Sequence, residues 1–207
     1  MRNIGGYILA GGKSSRLGSP KWRTALGGRR LVDIVAAAMA PVVAPPITLV
    51  GDLGDDPSGF RLIRDTMVDG KYPAVAGPLV GLLSAIEDSR DPWIAVLACD
   101  LPFVRSELIA GLVSLIDDNA DAIVPVQPDG RLQPLCAVYR KKTCNQAILD
   151  QLSTGRSSML SLLDLITVRK LEPVEYVGLE GSERFFFNVN TPEDLATART
   201  IFETPPA

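Results

Sequence analysis

Tyr7-Ile8-Leu9-Ala10-Gly11-Gly12-Lys13-Ser14-Ser15-Arg16-Leu17-Gly18-Ser19-Pro20-Lys21 is the stretch on which the reading of this chain turns. Tyr7 to Ala10 is a short apolar run with the length and character of a parallel strand buried on both faces. It breaks off into a loop of Gly, Ser and cations. Gly11 and Gly12 carry no Cβ, so their N–H groups can close on an anion, and Lys13, Arg16 and Lys21 bring positive charge to the same loop. A strand that ends this way can hold a polyphosphate; the plainer alternative is a Gly-rich turn that only links strand to helix. Spacing excludes two better-known Gly-rich patterns. A Walker A loop ending in Gly12-Lys13-Ser14 needs Gly at position 7, which is Tyr7, and Gly6 comes one residue too early. The dinucleotide pattern G-x-G-x-x-G fails after Gly11 and Gly12.

The composition narrows the chemistry. The chain has 207 residues, 46% of them hydrophobic and 22% charged, which suits one soluble α/β domain over 1–207. A net charge of −3 argues against a nucleic-acid or anionic-membrane partner, so any anionic substrate must be met by local cations. There is no His. That removes Ser-His triads and imidazole acid–base schemes, and with Cys99, Cys136 and Cys144 forming no C-x-x-C pair it removes a zinc site of the usual kind. Transfer of a nucleotidyl group to a phosphate survives these exclusions, because the attacking oxygen is already anionic near neutral pH and needs positioning more than deprotonation. Met1 to Gly6 has no secretory apolar region, so the expected compartment is the cytoplasm. The uncharged run from Ile34 to Gly51 is divided by Pro41, Pro45 and Pro46 into a helix end and a strand, and no membrane span is expected.

Along the chain, Leu31 to Met39 reads as a helix, Ile47 to Val50 as a second strand, and Arg61 to Arg64 as a short third strand. The third strand delivers Asp65 to a strand end, where it is either a ligand contact or a solvated turn residue. Pro78 suits the first turn of a helix running through Ile86. Ile94 to Cys99 is a continuous apolar run, hence a central strand, and Asp100 stands at its carboxyl end, the edge at which open α/β sheets bind ligands. Asp100 is either an anchor for Mg²⁺ bridging nucleotide phosphates or a strand-end cap. Ser106 to Ile116 reads as a helix. Ala122 to Val126 and Leu135 to Tyr139 read as a hairpin about the Asp129-Gly130 turn. This hairpin breaks the βα alternation and is expected as an insertion over the acceptor side of the site. Asn145 to Leu152 is helical, and Ser157 or Ser158 caps a helix through Ile166. Thr191-Pro192-Glu193-Asp194 starts a last helix, and upstream of it Asn188 and Asn190 alternate, so in an extended segment both amides serve one face.

The run L-A-G-G-x-S-x-R-L-G followed by Lys21, the segment Ala98-Cys99-Asp100-Leu101-Pro102-Phe103 and the segment Asn188-Val189-Asn190-Thr191-Pro192-Glu193-Asp194-Leu195 occur in that order. Together they resemble the molybdenum cofactor guanylyltransferase family, within the nucleotidyltransferases that build nucleoside-diphosphate sugars and pterin dinucleotides. The resemblance implies a Rossmann-like three-layer α/β/α domain with a mostly parallel sheet and an antiparallel hairpin insertion. It implies transfer of GMP from Mg·GTP to the terminal phosphate of molybdopterin or Mo-molybdopterin, with Mg²⁺ as cofactor and molybdoenzymes or their chaperones as further partners. Carried onto this sequence, Arg16, Lys21 and Asp100 would be catalytic, and Asp100 would bind the metal. Leu9, Ala10, Gly11, Gly12, Lys21, Asp65 and Asp100 would take GTP. Asn188, Asn190 and Arg156 would face molybdopterin, Arg156 being otherwise an exposed first-turn Arg. The chain departs from the family pattern at Gly51, where the family often has Asn, which removes a base or ribose contact. Alternatives are a molybdopterin cytidylyltransferase, a sugar-1-phosphate nucleotidyltransferase and a non-catalytic nucleotide-binding protein.

Overall fold

The described residues of the computed structural model are 3–11, 17, 20–53, 59–64 and 77–203. In chain order they form β1 (Ile4–Leu9), a 3-10 turn (Lys21–Arg23), β2 (Ala25–Leu26), β3 (Arg29–Arg30), α1 (Leu31–Met39), β4 (Ala44–Val50), β5 (Arg61–Ile63), α2 (Pro78–Asp88) and β6 (Trp93–Ala98). The second half adds α3 (Ser106–Ser114), β7 (Ala122–Pro125), β8 (Cys136–Arg140), α4 (Lys141–Ser153), α5 (Met159–Leu163), β9 (Val168–Leu171), α6 (Pro173–Tyr176), a 3-10 turn (Ser182–Arg184) and α7 (Pro192–Glu203). Among them no helix is long and apolar enough to cross a membrane. The run from Ile34 divides into α1 and β4 about Pro41, whereas Pro45 and Pro46 lie within β4, which begins at Ala44 and not at the expected Ile47.

A seven-stranded sheet in the order β5-β4-β1-β6-β8-β7-β9 carries the fold. The strands run parallel except β8, which is antiparallel to both β6 and β7. The alternation of side chains explains why the strands read as unbroken apolar runs. Ile4 and Ile8 of β1 and Ala95 and Leu97 of β6 pack with Val32, Val35 and Met39 of α1 and Leu108, Ile109 and Leu112 of α3. Tyr7 and Leu9, with Ile94 and Val96, face the other way onto Leu79, Leu82, Leu83 and Ile86 of α2 and Ile148 and Leu152 of α4. Both faces are dry, so each such side chain contributes about 1.5–3 kcal/mol of burial. The chain leaves β1 for β4 and β5 on one side and returns to β6 on the other. That reversal opens a crevice at the carboxyl ends of β1 and β6, where Leu9 stands opposite Ala98.

Several expectations are adjusted. The expected antiparallel hairpin is present as β7 and β8, with β8 inside the main sheet, because Cys136 to Tyr139 are buried and need cover on both faces. Only its turn reaches the carboxyl edge, where Ala98 N–H donates to the Leu135 carbonyl (2.8 Å). The helix expected from Asn145 starts at Lys141, directly after β8, and the helix expected through Ile166 stops at Leu163 before β9. Strand β9 and the small β2–β3 hairpin are additional. The hairpin turns on Gly27 and Gly28 with φ of 57° and 75°, the left-handed pair that a two-residue turn demands. Its Leu26 is buried with Leu31, Ile34, Val189 and Ala198 in a third, smaller core.

The residue after β4 controls how close Gly11 approaches that strand. Gly51 adopts a φ of 146°, and a Cβ there would stand 2.6 Å from Gly11 N and 2.8 Å from Gly11 Cα. Any side chain at Gly51 would push the start of the loop away from β4, in addition to the strain of its backbone. Gly51→Ala is therefore expected to destabilise the protein by more than about 2 kcal/mol, whereas Gly28→Ala, with positive φ but open space around it, costs about 1 kcal/mol. Urea denaturation of the two variants compares them directly.

Edge strand β5 is fastened to α2 by charge. Arg61 donates from both terminal nitrogens to the Asp88 carboxylate (2.5 Å each), and Tyr7 Oη–H donates to Asp88 Oδ2 (2.9 Å). The Arg61 guanidinium holds the Asp88 carboxyl below its usual range, and burial raises the Tyr7 hydroxyl to about 12, so Tyr7 remains a donor. A carboxylate depressed in the folded state stabilises it above the unfolded pKa of about 3.9 and loses that contribution as pH falls through the lower folded value. Since the Arg61 side chain is 47% exposed, Asp88→Asn should cost on the order of 1 kcal/mol. That difference from wild type should be flat from about pH 5 to 8 and shrink below about pH 4 in urea titrations.

Candidate active site

The crevice between β1 and β6 gathers residues from three distant parts of the chain. Strand β1 ends at Leu9, and its register is fixed by Cys99 N–H donating to the Leu9 carbonyl (3.1 Å) and Ala10 N–H donating to the Val50 carbonyl (2.9 Å). Leu9 and Ala10 are buried and Gly11 is exposed at the rim, so the backbone is solid up to the point where the loop begins. Pro20 leads into the turn that carries Lys21. Trp22 is buried beneath it, with the Arg23 guanidinium 4.6 Å above the indole ring. That packing orients the turn, and Lys21 reaches back across the crevice.

Lys21 Nζ lies 2.8 Å from Asp100 Oδ2 and 2.5 Å from Asn190 Oδ1. The Lys21 and Asp100 side chains are 25% and 14% exposed, so the pair is held at the mouth of the crevice and not in bulk water. Asp100 follows β6, and its carbonyl accepts from Val189 N–H (3.0 Å), which seats the C-terminal segment beside the carboxylate. Asp194 Oδ2 accepts from Asn190 N–H (2.9 Å) and Thr191 N–H (2.8 Å), while Thr191 Oγ1 accepts from Asp194 N–H (3.1 Å). Thr191 and Asp194 thus cap each other reciprocally, and Asp194 extends its grip one residue further upstream. The Asn190 N–H foremost, with Thr191 and the Lys21 charge assisting, holds the Asp194 carboxyl below its usual range. Burial, reinforced by the Asp100 charge, pushes the neighbouring Cys99 thiol up to about 12, so it is a packing group and not a nucleophile.

The second oxygen of Asp100 bears on the metal. Oδ1 is shielded from solvent and has no hydrogen-bond partner among the described residues. A buried carboxylate oxygen without a donor is a costly arrangement unless a cation meets it. No group of three acidic, Cys or His ligands occurs among the described residues. A lone carboxylate suits Mg²⁺, which takes one or two protein carboxylates and fills its shell with water and substrate phosphates.

The structure thus brings Lys21, Asp100 and Asn190 together, with Leu9, Ala10 and Gly11 on the adjoining rim. Asn188 does not join them: its Nδ2 donates to the Phe186 carbonyl (3.2 Å). Arg156 is exposed on the loop after α4, where its backbone N–H donates to the Gln151 carbonyl (3.3 Å), and its side chain is not bonded to the Lys21 group. Gly12, Arg16 and Asp65, together with Lys13, lie outside the described residues. Two contributors were not singled out from sequence. Asp194 was legible only as a first-turn acid, and the bond from Val189 to Asp100 carries no side-chain signal at all.

A family model described as a MobA-like NTP transferase domain matches residues 6–170. Among curated proteins, a probable molybdenum cofactor guanylyltransferase of Pelotomaculum thermopropionicum is 32% identical over 96% of this chain and 93% of its own. A protein of the same description from Halalkalibacterium halodurans is 33% identical over 92% and 95%. Among solved structures, molybdopterin-guanine dinucleotide biosynthesis protein A of Archaeoglobus fulgidus superposes with a TM-score of 0.78 at 23% identity, covering 97% of this chain and 99% of that one. The 2-C-methyl-D-erythritol 4-phosphate cytidylyltransferase of Thermus thermophilus has a TM-score of 0.69 at 19% identity, with 97% and 100% covered. A match over that span, with such relatives along nearly the whole length, means that this chain belongs to the MobA-like NTP transferase family and is a nucleotidyltransferase.

Proposed function

We propose that the protein transfers GMP from Mg·GTP to the terminal phosphate of molybdopterin in the cytoplasm, forming the guanine dinucleotide of the cofactor and releasing pyrophosphate. The observation that carries this reading is the convergence of Lys21 and Asp100, 2.8 Å apart, at the carboxyl ends of β1 and β6. The names of the curated relatives support the choice of substrates.

In the reaction an oxygen of the acceptor phosphate forms a bond to the α-phosphorus as the bond from that phosphorus to the bridging oxygen of the β-phosphate breaks, and pyrophosphate carries away the electron pair. No proton need be removed from the attacking oxygen, in keeping with a chain that has no His. Lys21 is suited to exchange its present partners for a phosphate oxygen and to neutralise charge that grows at the α-phosphate. Asp100 would hold Mg²⁺, which when bound offsets the charge of the triphosphate. Gly11, Gly12 and Arg16 would cradle the phosphates, and Leu9, Ala10 and Asp65 would contact the nucleoside. Asn188, Asn190 and Arg156 would orient the acceptor. With Gly at position 51 the base is met there without a side chain.

Lys21→Ala and Asp100→Ala should each lower turnover by about 100-fold or more, as removal of one preorganised charge does. Pyrophosphate release in the presence of molybdopterin, measured separately with GTP, CTP, ATP and UTP, should occur with GTP alone. Release with CTP alone would favour the cytidylyl reading, and near-normal turnover of either variant would overturn its assigned role.

A further inference from the structure

We propose that Asn190 is a positioning residue for Lys21, so that a residue assigned to the acceptor side also sets the affinity for the nucleotide; this rests on the reading of Lys21 as a phosphate ligand. A lysine ammonium is a point charge on a flexible stem with three rotatable donors. One partner, Asp100 Oδ2, fixes how far Nζ extends but not where its remaining donors point. Asn190 Oδ1 supplies a further fixed point, from a segment 169 residues away in sequence.

The anchoring of Asn190 is what makes it a support and not a passing contact. On one side, Val189 is fully buried in the small core with Leu26, Leu31, Ile34 and Ala198, and its N–H is bonded to the Asp100 carbonyl. On the other, Asp194 Oδ2 grips the N–H groups of both Asn190 and Thr191. Leu26 of the same core follows Lys21 by five residues, so both partners of the contact are rooted in one packed cluster. Asn188 gives Lys21 no such support, its Nδ2 donating to the Phe186 carbonyl instead.

Amide chemistry gives the contact a direction. Lysine has no acceptor, so the Asn190 oxygen must face Nζ, and its NH₂ donors must point away from Lys21. Those donors are then left to a group other than Lys21, in keeping with the acceptor role proposed for Asn190. Asn190 thereby links the two halves of the site: it aims Lys21 before the triphosphate arrives, which removes a reorganisation step at binding.

The test is a double-mutant cycle on binary nucleotide binding, by calorimetry with no acceptor present, using whichever Mg·nucleoside triphosphate the wild type binds. Asn190→Ala should weaken binding by about three- to thirtyfold, but change it by less than about twofold in a Lys21→Ala background. Asn190→Leu, of similar shape and without an acceptor oxygen, should behave as Asn190→Ala does, with both single variants unfolding within a few degrees of wild type. Unchanged binary affinity in Asn190→Ala, while Lys21→Ala weakens it, overturns this inference alone. Equal losses in the two backgrounds also overturn it. Unchanged affinity in Lys21→Ala, or no binding of any Mg·nucleoside triphosphate by the wild type, overturns it together with the reading of Lys21.

Discussion

The Lys21–Asp100 ion pair closes the crevice between β1 and β6, and the surrounding structure keeps its two charges at the surface edge of a dry sheet. Neither side chain can hydrate fully, at 25% and 14% exposure. Separating such a pair without a replacement partner would leave a poorly solvated charge behind. Under the proposed function a polyanion and its metal ion would provide such replacements, one for each member. The pair therefore defines in advance where negative and positive charge can be accommodated. Oδ1 of Asp100, shielded and without a hydrogen-bond partner among the described residues, completes that electrostatic asymmetry.

The pair can exist only because the backbone on either side is rigid. β1 and β6 are adjacent, parallel and buried on both faces, and Leu9 and Ala98 end level with each other. Their common carboxyl edge is the place where the sheet order reverses. A ligand there meets chain ends projecting from a core that cannot yield. The third contributor, Val189 to Asp194, is fixed differently, by one backbone bond to Asp100, a small core and a reciprocal helix cap. It is thus tied to Asp100 and the small core by bonds that do not involve any substrate. The Gly51–Gly11 contact does similar service for the loop, allowing backbone to rest on backbone where any Cβ would intrude.

Much of this was legible in the chain because two-sided burial leaves a strong mark. The runs Tyr7 to Ala10 and Ile94 to Cys99 read as central strands since no solvent-facing residue interrupts them, and Leu31 to Met39 matched α1 because Pro41 follows it. Other elements left weaker marks. β9 carries Arg169 and Lys170 at the edge of the sheet, where charge blunts an exposed strand and also disguises it. The start of α4 was hidden by Arg140-Lys141-Lys142, a cationic run that reads as loop although β8 passes straight into the helix. Asn188 and Asn190 looked equivalent by alternation, yet one turned to the Phe186 carbonyl and the other to Lys21.

By itself the sequence determined which segments must be buried, where the chain must turn, and that anionic chemistry had to proceed without imidazole, because these follow from residue type and local order. It also marked Lys21 and Asp100 as chemically apt. Only the tertiary structure decided that those two charges lie 2.8 Å apart, that β8 enters the sheet against the direction of its neighbours, and that Asn190 rather than Asn188 completes the group. Strand order and side-chain convergence are set by how all the apolar faces are covered at once, a property of the whole packed core that no local stretch encodes.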